Sequence, residues 1–453
     1  MNFTKGQEDA LLIMESGSNV FITGEAGTGK SFVVNEFIKR SRDSGKEVMV
    51  TAPTGTAADN IGGMTIHRAF GAPVGVIPDK KITSRDEVLQ CVDIIIIDEI
   101  SMCRFDLFDY IGRLVEYENN QRQRDRMIAQ MEGGVIKEDI QLIVMGDFYQ
   151  LPPVMTNDDK DILTKMYPTM DFGKGYAFKS KYWKSFCFDF VMLTENIRQE
   201  DTAFKNVLTM IRTNKNKKAC AEWLNSKASD FPFDDDDSIY LSATNKHVNQ
   251  INAERLEKID SEEYIFHAKI VGDVKQSEKF AEDEIRLKEG CKVMLTVNDS
   301  DGDYVNGTIG IVEVIDKYNG KIWVYIPSKD KGVLIERYQK EVIRPVVNEK
   351  EKTVTEIDEN GEPVKVTRMV SSLSDEVVGS FTQFPLRLAY AITIHKSQGK
   401  TFEHMNMNPY CWDEGQFYTG VSRCKKIENI CFMQPVKTKY IVSSDEVIKE
   451  FAR

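Results

Sequence analysis

The chain has little of what a membrane or secreted protein needs. Its longest unbroken aliphatic run is Ile94 to Ile97, far short of the roughly 20 apolar residues of a membrane-spanning helix. The N-terminal MNFTKGQEDALL has no basic flank ahead of an apolar core and no small-residue cleavage site, which argues against export. Eight cysteines are scattered without a C-x-x-C pair and five histidines stand apart. This speaks against a zinc site and for a reducing cytosol. An excess of basic residues is also missing: 59 Lys and Arg face 71 Asp and Glu, for a net charge of −12. Taken alone, that balance disfavours a nucleic-acid partner. For a large enzyme the test is weak, because a track one strand wide needs only a few local donors. The acidic run Asp234-Asp235-Asp236-Asp237 reads as a solvated loop, since nothing orders it as a metal site against mutual repulsion.

The sequence has 453 residues, 41% hydrophobic and 29% charged, enough for about two to four globular domains. Over the first 190 residues, short aliphatic runs (NVFIT, EVMVTA, VDIIIID, IQLIVMG) alternate with helical segments, the pattern of a doubly wound parallel sheet. The rhythm returns at FVMLT, SIYLSATN, LRLAYAIT and ENICFMQP, which predicts a second α/β core. Between them the period changes to two. GIVEVIDKYNGKIWVYI (310–326) turns at Asn319-Gly320 and KTVTEIDENGEPVKVTRMV (352–370) at Asn360-Gly361, both strong hairpin signals. The expected fold class is α/β, with core 1 over 1–190, core 2 over 191–290 and 381–453, and an antiparallel β domain inserted at 291–380. Two further inserts stand out, a Pro/Gly-bearing excursion at about 71–90 and a polar, mostly helical segment at 116–139.

GEAGTGKS (24–31) satisfies the full P-loop pattern between a strand and a helix. Gly24, Gly27, Thr28 and Gly29 form the turn whose amides cradle phosphate, Lys30 is expected to reach the β/γ-phosphates, and Ser31 to ligate Mg²⁺. The strand IIIIDE (94–99) delivers Asp98 toward that metal and Glu99 toward an attacking water, so hydrolysis is implied. Guanine recognition needs N-K-x-D, and Asn245-Lys246-His247-Val248 lacks the aspartate, which favours ATP. Phe3 and Gln7 are candidates for adenine contacts by stacking and a bidentate amide. GDFYQLPPV (146–154) predicts a γ-phosphate sensor at Gln150. Arg198 and Arg423 are candidate fingers for transition-state charge. The string Gly399-Lys400-Thr401 ends like a second P-loop, but Ile394 stands where its first glycine is required.

In order along nearly the whole chain, GQ (6–7), GEAGTGKS, TAPTGTAA (51–58), TIHRAFG (65–71), DEISM (98–102), GDFYQLPPV, LTENIRQ, SATNKHVNQIN (242–252), KVMLTVN with VNGTIG, ITIHKSQGKTFE (392–403) and YTGVSR resemble the superfamily 1 helicases. The branch is the 5′-to-3′ one containing the Pif, RecD and phage Dda types, and the strings are most similar to the Pif family. The resemblance implies two RecA-like P-loop cores, a wedge in the 71–90 insert, and an SH3-like fold for the β domain. It implies an ATP- and Mg²⁺-dependent DNA helicase, in which hydrolysis drives movement along single-stranded DNA. Pro53, Thr54, Thr56 and His67 would hold the strand from core 1. Thr244, Asn245, Thr393, His395, Lys396 and Ser397 would hold it from core 2, while Gln398 and Gly399 face the nucleotide. Implied partners are single-stranded DNA and tailed or forked duplexes, with G-quadruplexes as a further target and no membrane. The protein would act as a monomer in the cytoplasm of a bacterial or phage-infected cell. Two alternatives are a P-loop ATPase that switches a protein partner and a non-hydrolysing strand-binding protein; Glu99 and both arginines disfavour the latter.

Overall fold

The computed structural model describes residues 3–451 except 74, 133–136, 200, 235–237, 300 and 358–362. For 56, 131–132, 277, 344–357 and 363–375 it describes the backbone. Most of the acidic run at 234–237, the Asn360-Gly361 turn and the Thr56 side chain thus lie outside the described residues.

The aliphatic runs of the first half form six parallel strands: β1 (Val20–Gly24), β2 (Val48–Ala52), β3 (Met64–Thr65), β4 (Ile94–Ile97), β5 (Gln141–Met145) and β6 (Asp189–Leu193). Their order is β3-β2-β4-β5-β1-β6. The central strands are sealed on both faces, which is why they read as unbroken Val and Ile. FVMLT, expected to open core 2, is instead β6 and pairs with β1 from Val20–Asp189 to Gly24–Leu193. An aliphatic strand carries no mark of which sheet it will join.

The chain then forms β7 (Ser238–Ser242) and leaves for an antiparallel module. That module comprises β8 (Glu263–His267), β9 (Lys269–Gly272), β10 (Glu284–Lys288), β11 (Lys292–Leu295), β12 (Ile309–Asp316), β13 (Lys321–Ile326), β14 (Lys331–Glu336), β15 (Tyr338–Ile357), β16 (Pro363–Gln383) and β17 (Leu386–Leu388). It returns to the second core as β18 (Ala391–Thr393), β19 (His404–Met407) and β20 (Ile430–Phe432), giving a parallel sheet in the order β18-β7-β19-β20. The main sheet of the module runs β14-β13-β12-β11-β17 and encloses its own core around Val293, Val312, Ile322, Val324 and Leu386. Asp316 accepts the Tyr318 and Asn319 amides at the β12–β13 turn, where Gly320 takes a φ of +64°. The module is wider than 291–380, because β8 to β10 precede it and β17 closes it. LRLAYAIT is correspondingly split, with its first three residues in the module and Ala391–Thr393 in the second core.

The last helix, Asp445–Phe451, departs from the expected division too. It docks on the first core, where the Phe451 ring stacks on Phe148 at 5.2 Å and meets Phe21 at 5.8 Å. The first and second cores share one continuous apolar cluster that includes Val144, Phe148, Phe417 and Ile430. Among the described residues no helix is long and apolar enough to cross a membrane.

The polar segment after residue 116 continues a single helix, Phe105–Glu132. Its inward-facing charges hold the 71–90 insert. Glu118, 1% exposed, accepts from Arg85 Nε at 3.0 Å and from Arg122 Nε at 3.2 Å. Arg122 also donates to the carbonyls of Leu89 (2.7 Å) and Val92 (2.7 Å). Further along, Arg113 pairs with Asp79, and Arg104 donates to Gly75 O at 2.7 Å. The excursion is therefore pinned to a helix at several points. Glu118→Ala would strand two arginines, one of them fully buried, and is expected to destabilise the protein by about 3–5 kcal/mol. Urea unfolding followed by circular dichroism checks this; an unchanged midpoint would mean that the carbonyl bonds of Arg122 suffice.

Candidate active site

The site is built where strands of the first sheet end. β1 stops at Gly24, and after five intervening residues the helix Lys30–Asp43 begins. Gly27 (φ +88°) and Gly29 (φ +78°) lie in left-handed backbone, and space forbids a side chain at either. A Cβ on Gly27 would lie 2.4 Å from Arg198 Cβ, and one on Gly29 2.5 Å from Gln7 Nε2. Lys30 Nζ donates to the carbonyls of Gly24 (2.9 Å) and Glu25 (3.1 Å). Burial lowers its pKa, an effect opposed by Asp147, Glu99 and Asp98. Thr28 Oγ1 donates to Glu25 O at 3.0 Å. Gln7 is buried, forms a reciprocal cap with Thr4, and donates through Nε2 to Thr28 O at 3.2 Å. Phe3 sits on Phe32 at 5.1 Å. Both side chains expected to meet adenine thus also brace the loop and its helix.

β4 delivers its two acids as the sequence suggests. Asp98, 8% exposed, accepts the Glu99 amide at 2.7 Å. Burial pushes both carboxyls up, and their mutual repulsion adds to the shift at Asp98. Glu99 adopts a left-handed conformation at φ +48°, which costs about 1–2 kcal/mol in a non-glycine residue. Its side chain is held from across the molecule: Gln398 Nε2 donates to Glu99 Oε2 at 2.9 Å.

The second lobe also reaches the P-loop. Arg423, 2% exposed, donates to Thr419 O (2.8 Å), to Ser422 Oγ (2.9 Å) and, at 3.5 Å, to Gln150 Oε1. Burial and the neighbouring Arg198 push its pKa down to about 9. Arg198, likewise lowered by burial, donates to Ser422 O at 3.2 Å. The structure brings Lys30, Glu99, Gln150, Arg198 and Arg423 into one neighbourhood.

Several contributors were not singled out from the sequence. The Ala26 amide donates to Tyr418 Oη at 3.1 Å. Asn196 Nδ2 donates to Ala26 O at 3.0 Å, and the Ile197 amide to Gly27 O at 2.9 Å. Asp147 forms a buried ion pair with Arg212 at 3.0 Å, whose guanidinium lies 4.0 Å from the Tyr149 ring centroid. Tyr418, Asn196 and Asp147 all sit inside strings already noted for a neighbouring residue, so position was legible and role was not.

The expected strand residues divide into two groups. Thr54, His395 and Lys396 line a cleft of about 680 Å³ together with Ser31, Asp98, Glu99, Gln398 and Gly399. Asn60 of the first lobe comes close enough to Gly399 that a Cβ there would lie 3.1 Å from its Nδ2. Thr393 and Ser397 turn inward instead. Thr393 Oγ1 accepts the Lys396 amide at 3.2 Å, and Ser397 Oγ donates to Ile394 O at 2.7 Å. Their side chains shape the 395–397 turn, 5% and 0% exposed respectively. Thr54 and Thr244 cap the helices Gly55–Asn60 and Asn245–Glu257, with Pro53 half-buried before the first and Asn245 exposed at the start of the second. His67 lies in the short Ile66–Ala69 helix, its pKa lowered by burial and by Lys275 and Arg104.

A phosphate loop on one RecA-like lobe, flanked by Arg198 from the segment after that lobe's last strand and by Arg423 and Tyr418 from the second lobe, defines a two-lobed P-loop ATPase. Comparison with known proteins narrows the class. The family model described as PIF1-like helicase matches residues 7–226. The ATP-dependent DNA helicase Pif1 of Campylobacter jejuni is 31% identical over 438 residues, which span 89% of this chain and 86% of that protein. The crystal structure of Bacteroides sp. Pif1 in complex with ADP-AlF4 matches at a TM-score of 0.77 with 29% identity, covering 99% of this chain and 96% of that one. Bacteroides Pif1 bound to ssDNA matches at 0.68 with 30% identity, covering 100% and 97%. The chain belongs to the PIF1-like helicase family.

Tyr418→Phe would leave the buried Ala26 amide without its acceptor, a loss of about 1–3 kcal/mol. Weaker binding of ATP by about tenfold, measured by titration with a fluorescent analogue, is the expected result. Unchanged affinity would show that the loop holds its shape without this tie.

Proposed function

We propose that this protein is an ATP-dependent DNA helicase that moves 5′-to-3′ along single-stranded DNA and opens the duplex ahead of it. One observation carries the coupling. The segment 395–399, assigned to the strand on one side, reaches Glu99 on the other through Gln398. A shift of that turn on gripping or releasing a phosphate backbone would therefore be felt at the carboxylate that orients water, and the reverse. Family membership supports the chemistry, and the direction of travel rests on the resemblance to the 5′-to-3′ branch.

In this mechanism Lys30 binds the β/γ-phosphates and Glu99 orients the attacking water. Arg423 meets transition-state charge from the second lobe, with Gln150 beside it, and Arg198 does so from the segment that follows β6. Ser31 and Asp98 would hold Mg²⁺. Both line the same cleft, they offer the hard oxygen donors that ion prefers, and the burial-raised Asp98 carboxyl calls for a cation. That ion would supply positive charge against the phosphate oxygens of the nucleotide. Cleft closure on ATP and reopening after hydrolysis alternately tighten the grips of Thr54 and of His395 and Lys396. The pinned 71–90 insert would serve as the wedge that parts the strands.

Single-stranded DNA is expected to stimulate ATP turnover, and a 5′-tailed duplex to be unwound in preference to a 3′-tailed one. Turnover indifferent to oligonucleotide would instead favour an ATPase that switches a protein partner. Glu99→Gln should lower turnover by about 10²–10⁴-fold while retaining nucleotide binding. A variant with near-normal turnover would remove Glu99 from its role.

A further inference from the structure

Lys400, next to Gly399, is a half-buried cation with no anionic partner among the described residues. Its Nζ donates to the Met294 sulfur of β11 at 3.1 Å. Among the described residues no carboxylate or carbonyl oxygen pairs with it. Its aliphatic stem packs against the β-module loop, where a Cβ on Gly307 would lie 3.2 Å from Lys400 Cδ. The charged end lines the same 680 Å³ cleft as Thr54 and His395. Two more cations stand close by. Lys396 lines this cleft and also the adjoining cavity of about 330 Å³, which Arg387 of β17 lines too. Arg387 Nε is buried without a hydrogen-bond partner, and its nearest carboxylate, Glu282, is 3.9 Å away and mostly exposed. Three positive side chains thus converge where the second lobe meets the β module, with one weak counter-charge among them. Lys396 is exposed, but Lys400 is half-buried and Arg387 buries an unpartnered Nε, and positive groups so placed are costly together unless an anion joins them.

We propose that Lys400, with Lys396 and Arg387, forms a phosphate seat that takes a phosphodiester of the bound single strand between the second lobe and the β module. The inference rests on the strand-binding reading above and adds a contact to it. Lys400 and Lys396 line the same cleft as Thr54 of the first lobe, so a strand crossing that cleft passes them. Burial, reinforced by Arg387 and Lys396, lowers the Lys400 pKa to about 7. Met294, Asn306-Gly307-Thr308 and Asn60 bring no charge to it, while Asp98 and Glu99 line the same cleft. A phosphodiester in the seat raises that pKa, so strand binding takes up a proton and weakens as pH rises through 7 and above.

The test uses the full chain with a fluorescein-labelled oligo-dT, read by anisotropy, and in parallel a fluorescent non-hydrolysable ATP analogue. Lys400→Met preserves the packing against Met294. It is expected to weaken oligo-dT binding by about tenfold or more and to reduce the salt slope by about 0.7, with ATP-analogue affinity unchanged. Lys400→Arg keeps a permanent charge and should retain affinity while flattening its fall as pH rises from about 6.5 to about 8.5. Oligo-dT affinity and salt slope unchanged in Lys400→Met would overturn the seat, as would a loss confined to the ATP analogue, which would assign the phosphate to the nucleotide. Wild-type protein that fails to bind oligo-dT at all would bring down the strand-binding reading and the seat with it.

Discussion

Charged groups sealed between two lobes govern this molecule. Lys30, Asp98 and Glu99 belong to the first lobe, Arg198 follows its last strand, and Arg423 comes from the second. Burial disfavours the charged form of every one of them. Little water reaches them, and Glu99, Arg198 and Arg423 take hydrogen-bond partners from across the boundary. Glu99 is the sharpest case, since it combines a strained backbone with a side chain anchored by Gln398 from the far lobe. Strain of this kind persists only where the surroundings over-determine it, and here those surroundings are the other lobe. A cleft whose electrostatics need both walls is one whose opening and closing can be coupled to chemistry.

The rest of the architecture supplies rigid walls. Parallel strands buried on both faces leave their carboxyl ends as the place where polar loops can gather, and both sheets aim theirs at the shared cleft. Rigidity is added where the sheets alone would not provide it. The Phe105–Glu132 helix holds the 71–90 insert through buried ion pairs, and Phe451 ties the end of the described chain back to the first core. The β module has an independent apolar core and meets the first lobe through charge. Arg68 forms a buried pair with Glu278 at 2.7 Å, and Lys340 a partly exposed one with Asp59 at 2.7 Å.

Much of the site was legible because its chemistry demands particular residues at fixed spacing. The P-loop, the acids ending β4 and the two arginines lie beside one another, with Arg198 against Gly27, and with Lys30 and Arg423 both acting on Glu99. What stayed hidden has physical reasons. FVMLT joined the first sheet because hydrophobicity specifies burial and not the partner strand. The β module extends beyond its hairpins because edge strands such as Glu263–His267 alternate too weakly to stand out. Thr393 and Ser397 lie in the right segment, yet their hydroxyls close a turn, and side-chain direction in a tight turn follows from local geometry that residue type does not encode. Tyr418 and Lys400 matter through contacts with residues hundreds of positions away or in another module, a distance no local pattern spans.

If the two walls act as one device, strand and nucleotide must change each other's affinity by the same factor, and the path must run through Gln398. The direct measurement is oligo-dT affinity with and without a non-hydrolysable ATP analogue, in the wild-type protein and in Gln398→Ala. The account predicts a nucleotide-dependent change in the wild type that falls toward none in the variant. Equal coupling in both proteins would contradict it.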